Sequence, residues 1–395
     1  MTYLFIFFVM LYCVVQYDLM GKHRNRNKWY NFIWFYLTTI SGLSYRMGGD
    51  GMEYFWQYPM YTISDGFGWD ALTAYINRLP GWVLLNKLCK QVSNEYWFFK
   101  LIHAIIVNYL YYNFIKKYAP HIFSATLVFF VLLYFNLNFQ ILRQTLAMGF
   151  FLYSIQYYES KKWLKYFCVN LLAISFHESA LISFVFPFMK LIKINKLTAL
   201  IILSTAIFLF FMGPVLFSYI IFIVPEIYVN KVVYYSSNDD SVSLVSFLLN
   251  IILSVVIPLI VIYRSNDKYS IINMGTLFYG LSFSVGCNVD IFYRFSYFFQ
   301  IFFYLFYINL LFDISLFGFQ KQQAKSITKI KVPIKNRSYK QTFLILILLF
   351  LAYRGRMYFT SYGDTNMPSW IQYYPYSSII FQDTDPLREE FIKKL

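Results

Sequence analysis

Apolar residues along this chain fall into long runs separated by short polar stretches, without the alternation that marks half-buried strands. Taking runs near the roughly 20 residues that cross the hydrocarbon of a bilayer, the pattern predicts about twelve segments, at 2–19, 29–45, 98–115, 121–135, 140–158, 163–176, 178–189, 197–223, 244–263, 271–287, 293–315 and 341–353. The predicted fold class is therefore all-α, a polytopic transmembrane helix bundle, with residues 1–395 forming a single domain. Three runs, 121–135, 163–176 and 178–189, are short for a span and predict half-helices or a re-entrant hairpin. Lys161, Lys162 and Lys165 precede the last two of these and Lys190, Lys193 and Lys196 follow them. A single crossing would put one basic cluster on the wrong side, so a hairpin tipped by His177 and Glu178 is the better fit.

Composition agrees: 59% of the residues are hydrophobic and only 13% charged. The net charge of +15 does not point to nucleic acid, because the Lys and Arg residues lie in short clusters between the apolar runs. Alternate loops, ending with the basic stretch 316–340, hold 21 of the 34 Lys and Arg residues and should face the cytoplasm. Both termini then lie outside, and the longest outer pieces are 46–97, 224–243 and 354–395. Cys13, Cys89, Cys168 and Cys287 share no metal-ligand spacing. Residues 2–17 lack a preceding basic residue and a following cleavage site, which predicts a retained first helix rather than a signal peptide.

Against this background the ionisable groups stand out, since charge in hydrocarbon needs a partner or a task. Arg143 and Gln144 open a helix after Asn136-Leu137-Asn138, where a guanidinium can bind phosphate in bidentate fashion; the bland alternative is an interfacial arginine that snorkels to the headgroups. His177 can take a proton near neutral pH, and the adjoining Glu178 can orient it. By contrast, His103 has no polar neighbour in sequence and reads as a packing histidine. The first outer loop, Tyr45-Arg46-Met47-Gly48-Gly49-Asp50-Gly51-Met52-Glu53-Tyr54, places Arg46, Asp50 and Glu53 near the membrane surface, and its glycines would let backbone approach a phosphate. Asp290 and Arg294, four apart, form either an ordinary helix ion pair or a site for an anionic headgroup. Asp383-Thr384-Asp385 and Asp239-Asp240 lack the nucleotide-binding context that would make them metal sites, so no metal or cofactor is expected. The glycosylation sequon at Asn336 falls in the most basic inner loop, itself a topology anchor for anionic lipid.

The order of these motifs resembles the EpsG family, grouped with Wzy-like bacterial polysaccharide polymerases. The resemblance is carried by Arg46, Gly49-Asp50 and Tyr54 after the second segment, by Arg143-Gln144, by Phe176-His177-Glu178-Ser179-Ala180, by Tyr293-Arg294-Phe295, and by Tyr374-Pro375-Tyr376. Gly49-Asp50 departs from the family's usual Thr-Asp. The resemblance implies a GT-C-like membrane enzyme in the bacterial cytoplasmic membrane. It would join oligosaccharide repeat units carried on undecaprenyl diphosphate, as in O-antigen, capsule or exopolysaccharide synthesis. It also implies membrane lipids, a chain-length regulator and a flippase as partners. In that reading Arg46, Tyr54, Arg143, Gln144 and Arg294 bind substrate and stabilise the departing diphosphate, while His177, Glu178 or Asp50 accepts the proton of the attacking hydroxyl. Two rivals stay open: a GT-C glycosyltransferase using a polyprenyl-phosphate sugar, with Asp50 or Glu53 as base, and a lipid-linked oligosaccharide flippase or transporter.

Overall fold

The computed structural model describes residues 2–75, 78–220, 244–265, 267–287, 289–323, 337–360 and 367–394. The outer piece 224–243 with Asp239-Asp240, the sequon asparagine and most of the basic loop 316–340 lie outside these residues. Among the described residues the chain is helical and forms no sheet, and Ser44 and Ser378 make an isolated bridge. Among the described residues seven helices are long and apolar enough to cross a membrane. The remaining predicted segments are shorter or more polar, and the protein is a multi-pass membrane protein of the helical-bundle class.

The helices that matter here are α1 (Thr2–Leu19), α2 (Arg26–Gly42), α3 (Gly49–Gln57), α4 (Pro80–Val92), α5 (Tyr96–Tyr118), α6 (Ile122–Phe139), α7 (Leu142–Glu159) and α8 (Trp163–Ile174). They are followed by α9 (Lys196–Ile220), α10 (Val245–Arg264), α11 (Ile271–Gly286), α12 (Asp290–Gln323), α13 (Arg337–Gly355) and α14 (Pro386–Lys393). One predicted boundary was wrong. The run 121–135, expected to be too short to span, belongs to an 18-residue helix that continues through Asn136-Leu137-Asn138 to Phe139. Asn138 can stay helical because its side-chain amide donates to the Tyr134 carbonyl at 3.1 Å and its oxygen accepts from Asn108 at 3.1 Å. The short segments at 163–176 and 178–189 are indeed short: α8 has 12 residues, and residues 178–191 form 3₁₀ turns.

The chain divides into two compact units: residues 1–159, 164–178 and 307–395 make the first, and residues 160–163 and 179–306 the second. In the first, α6 is the most enclosed of the long helices, with 83% of its residues buried. The amide of Asn108, in the middle of α5, also donates to Ser41 of α2 at 3.1 Å, so one side chain ties α2, α5 and α6 together. Tyr134 of α6 donates to the Leu37 carbonyl of α2 at 2.6 Å. Gly149 lets α7 close on Leu110 of α5, and Asn170 of α8 donates to Ser154 of α7 at 3.0 Å. Small residues and polar cross-links are what hold helices together where lipid removes the hydrophobic drive. The second unit is held differently, by aromatic stacking of Phe186, Phe278 and Phe299 and by Gly280 against the Ser254 carbonyl.

Asn108→Ala removes the link among three helices and should cost about 0.6–2 kcal/mol, read as a lower unfolding midpoint of the detergent-solubilised protein. Tyr109→Ala, at a 60% exposed position on the same helix, should leave the midpoint unchanged.

Candidate functional site

The glycine-bearing loop after α2 lies directly on the break between α6 and α7. Gly48 has a φ of 80° and its Cα faces the Phe139 carbonyl so closely that a Cβ would overlap it; at Gly51 a Cβ would stand 2.5 Å from the same oxygen. The amides at the start of α3 are already bound. Gly48 N–H donates to the Gln372 carbonyl at 3.0 Å, Gly49 N–H to Gln372 Oε1 at 3.1 Å, and Asp50 N–H to Gln140 Oε1 at 2.8 Å. Gln140 in turn donates to the Tyr373 hydroxyl at 3.2 Å. These glycines therefore serve close packing, and the loop amides anchor α3 to the C-terminal segment.

This seating brings Tyr54 of α3 to Arg143 in the first turn of α7. Tyr54 is buried, and the Arg143 guanidinium acts on its hydroxyl electrostatically. Four residues beyond α3, the Tyr61 hydroxyl accepts from Trp82 Nε1 at 3.0 Å and feels the charge of Arg78. Arg78 also reaches Glu53 Oε1 at 2.6 Å and, through Nε, Gln57 Oε1 at 2.9 Å. Each tyrosine feels both guanidiniums. Burial pushes the Tyr54 and Tyr61 hydroxyls above the usual tyrosine range, and the two arginines pull in the opposite direction. Both raised shifts leave the phenols protonated at neutral pH, so each can accept from an arginine and donate onward.

His177 and Glu178 enter the same unit from the end of α8. Gly81 of α4 donates its N–H to the Ser175 carbonyl at 2.9 Å, and a side chain there would overlap Ser175. Phe176 stacks on Phe150 of α7, with ring centres 5.5 Å apart. His177 is 3% exposed, and its Nδ1 stands 3.9 Å from Glu178 Oε2. Glu178, 47% exposed at its side chain, acts electrostatically on Arg143. The carboxylate that local sequence did not offer Arg143 thus comes from another helix end. Gln144 is buried beside it in α7, and Asp50, exposed, adds its charge at Tyr54.

The remaining candidates lie differently. Arg46 makes a two-pronged pair with Glu389 of α14, Nε to Oε1 at 2.9 Å and the terminal nitrogen to Oε2 at 2.6 Å. Arg294 is on α12, in the part belonging to the second unit, and the side chain of Asp290 is outside the described residues. His103 is fully buried with Nε2 3.0 Å from the Leu142 carbonyl, a packing role. Asp385, from the D-x-D sequence, caps α14 by accepting from Arg388 N–H at 3.0 Å. Sequence reasoning missed Arg78 and Tyr61, although an arginine in the longest outer loop was a visible signal. It also missed Arg388, which is buried and donates to the carbonyls of Pro375, Ile371 and Arg46 and to Ser377.

Fold and site together define a multi-pass helical membrane protein that gathers arginines, tyrosines and a carboxylate around the start of one helix. The chain belongs to the EpsG family, which matches residues 27–378 and is a family of Wzy-like polysaccharide polymerases. No curated protein and no solved structure matches it.

Gly48 and Gly66 both have positive φ, but a Cβ at Gly66 would meet open space. Gly66→Ala should therefore cost only the backbone strain, about 1–2 kcal/mol, whereas Gly48→Ala should lower the thermal midpoint further. Equal losses in the two variants would mean that the Phe139 contact does not seat the loop.

Proposed function

We propose that this chain joins oligosaccharide repeat units carried on undecaprenyl diphosphate at the outer face of the bacterial cytoplasmic membrane, the whole chain serving that one activity with both termini outside. Membership of the EpsG family supports a polysaccharide polymerase in general. The observation that carries the finer reading is the convergence on Arg143 of Tyr54, Tyr61 and Glu178, with Arg78 sharing the same tyrosines.

In the reaction, the bond between the anomeric carbon of the growing chain and the lipid diphosphate breaks, and a bond to a hydroxyl oxygen of the incoming unit forms. Negative charge collects on the departing diphosphate. Arg143 and Arg78 can meet it with planar forks, and the Tyr54 and Tyr61 hydroxyls with donated protons, all held in place before the bond breaks. The attacking hydroxyl gives its proton to His177, whose imidazolium is stabilised by Glu178; Asp50 is the alternative base. Gln144 orients the substrate from the next position on α7. Arg46 acts through α14, which it holds by Glu389. Membrane lipids surround the site, with a flippase supplying the units and a chain-length regulator ending growth.

Loss of this protein should leave lipid carriers bearing single repeat units, seen by analysis of lipid-linked glycans. Units trapped inside would indicate a flippase instead, and truncated units a transferase. Arg143→Lys keeps the charge but loses the fork, and polymerisation should fall on the order of 100-fold with single-unit carriers accumulating. Chains of normal length in that variant would sink the assignment of Arg143. Undiminished turnover in His177→Ala would move the base to Asp50.

A further inference from the structure

The first unit contains a cavity of about 190 Å³ that this reaction scheme leaves unused. It lies among the loop residues Tyr45 and Arg46, the Met52 and Phe55 side of α3, the first residues of α5 and Gln382. Lys100 lines it, although that lysine is only 3% exposed. Its ammonium donates to the Asn138 carbonyl and lies 5.1 Å from the centre of the Phe139 ring. Among the described residues no carboxylate forms an ion pair with it, and Arg46, the other cation of the cavity, is already neutralised by Glu389. A buried amino group without an anion resists carrying its charge, and a carboxylate brought beside it would stabilise the ammonium form. Four aromatic residues, Tyr45, Phe55, Tyr96 and Trp97, also line it. Glu95 is exposed, where water screens its charge while it can still accept from hydroxyl groups.

We propose that this cavity binds one acidic sugar residue of the glycan, its carboxylate on the Lys100 ammonium and its ring against Trp97 and Tyr45. The volume is below the several hundred Å³ that drug-sized ligands occupy and suits a single monosaccharide. The ring offers an apolar C–H face to the indole and phenol, and its hydroxyls reach Glu95 and Gln382. Such a subsite would let the enzyme select repeat units by the presence of an acidic residue. The inference rests on the polymerase reading, but its test is a binding measurement made without turnover, so either can fail alone.

The full-length protein in nanodiscs of zwitterionic lipid is titrated with methyl glucuronoside, methyl glucoside and inorganic phosphate, with binding read by saturation-transfer NMR. The glucuronoside should bind at least tenfold more tightly than the glucoside, phosphate should not compete, and Trp97→Ala should abolish binding of both sugars. Lys100→Met, which keeps the aliphatic stem, should bring the two sugars within twofold of each other. A wild-type preference below twofold overturns the proposal even if Lys100→Met does not fold. So does competition by phosphate at the same concentration as the glucuronoside, which would make this an anion site only. Loss of glucuronoside binding when anionic lipid is added would assign the cavity to a headgroup and overturn it too.

Discussion

The arrangement depends on one carbonyl oxygen. At Phe139 the helix α6 ends, and the loop after α2 comes down on its last peptide so closely that only glycine can occupy positions 48 and 51. A helix terminus leaves carbonyls and amides that must find partners, and here the partners are drawn from three distant parts of the chain. Gln140 at the break holds the first turn of α3, and Gln372 and Tyr373 hold both from the C-terminal side. Because α7 begins two residues after the break, seating α3 on it necessarily places Tyr54 beside Arg143. The site geometry is thus a consequence of how a helix end is satisfied.

Much of the fold could be read from the pattern of apolar runs, because a segment in lipid must satisfy its backbone internally and therefore advertises itself by length. The error at α6 has a physical cause. Asn136 and Asn138 look like a loop in hydropathy, but a helix interior can hold an asparagine whose amide is bound by another helix, and Asn108 does this for Asn138. Arg143 as a first-turn residue was legible from the polar step before it. The charge of Glu178 at Arg143 was not, since the two come together only through the packing of Phe176 on Phe150 and of Gly81 on Ser175. Arg46 could be singled out as an arginine of the loop, yet nothing in its neighbourhood announced a partner 343 residues away.

The electrostatic character of the site follows from sharing. Arg143 is served chiefly by phenols, with Glu178 at its exposed margin, whereas Arg78 is paired directly with Glu53. Phenols protonated at neutral pH hydrogen-bond arginines without cancelling their charge. The positive potential is therefore kept available in a setting where burial strengthens it. A pair of buried carboxylates in the same places would have neutralised the arginines and left little attraction for an incoming anion.

The clasp between Arg46 and Glu389, together with the buried Arg388, has a bearing on biogenesis. Residues from the last helix complete the environment of a loop made near the beginning of the polypeptide. During synthesis that loop leaves the ribosome long before residues 372–389 exist, so its final seating must wait until they have been made. A nascent chain halted short of those residues would carry the arginines and tyrosines of the site without the scaffold that arranges them, which delays the assembled form until they are in place.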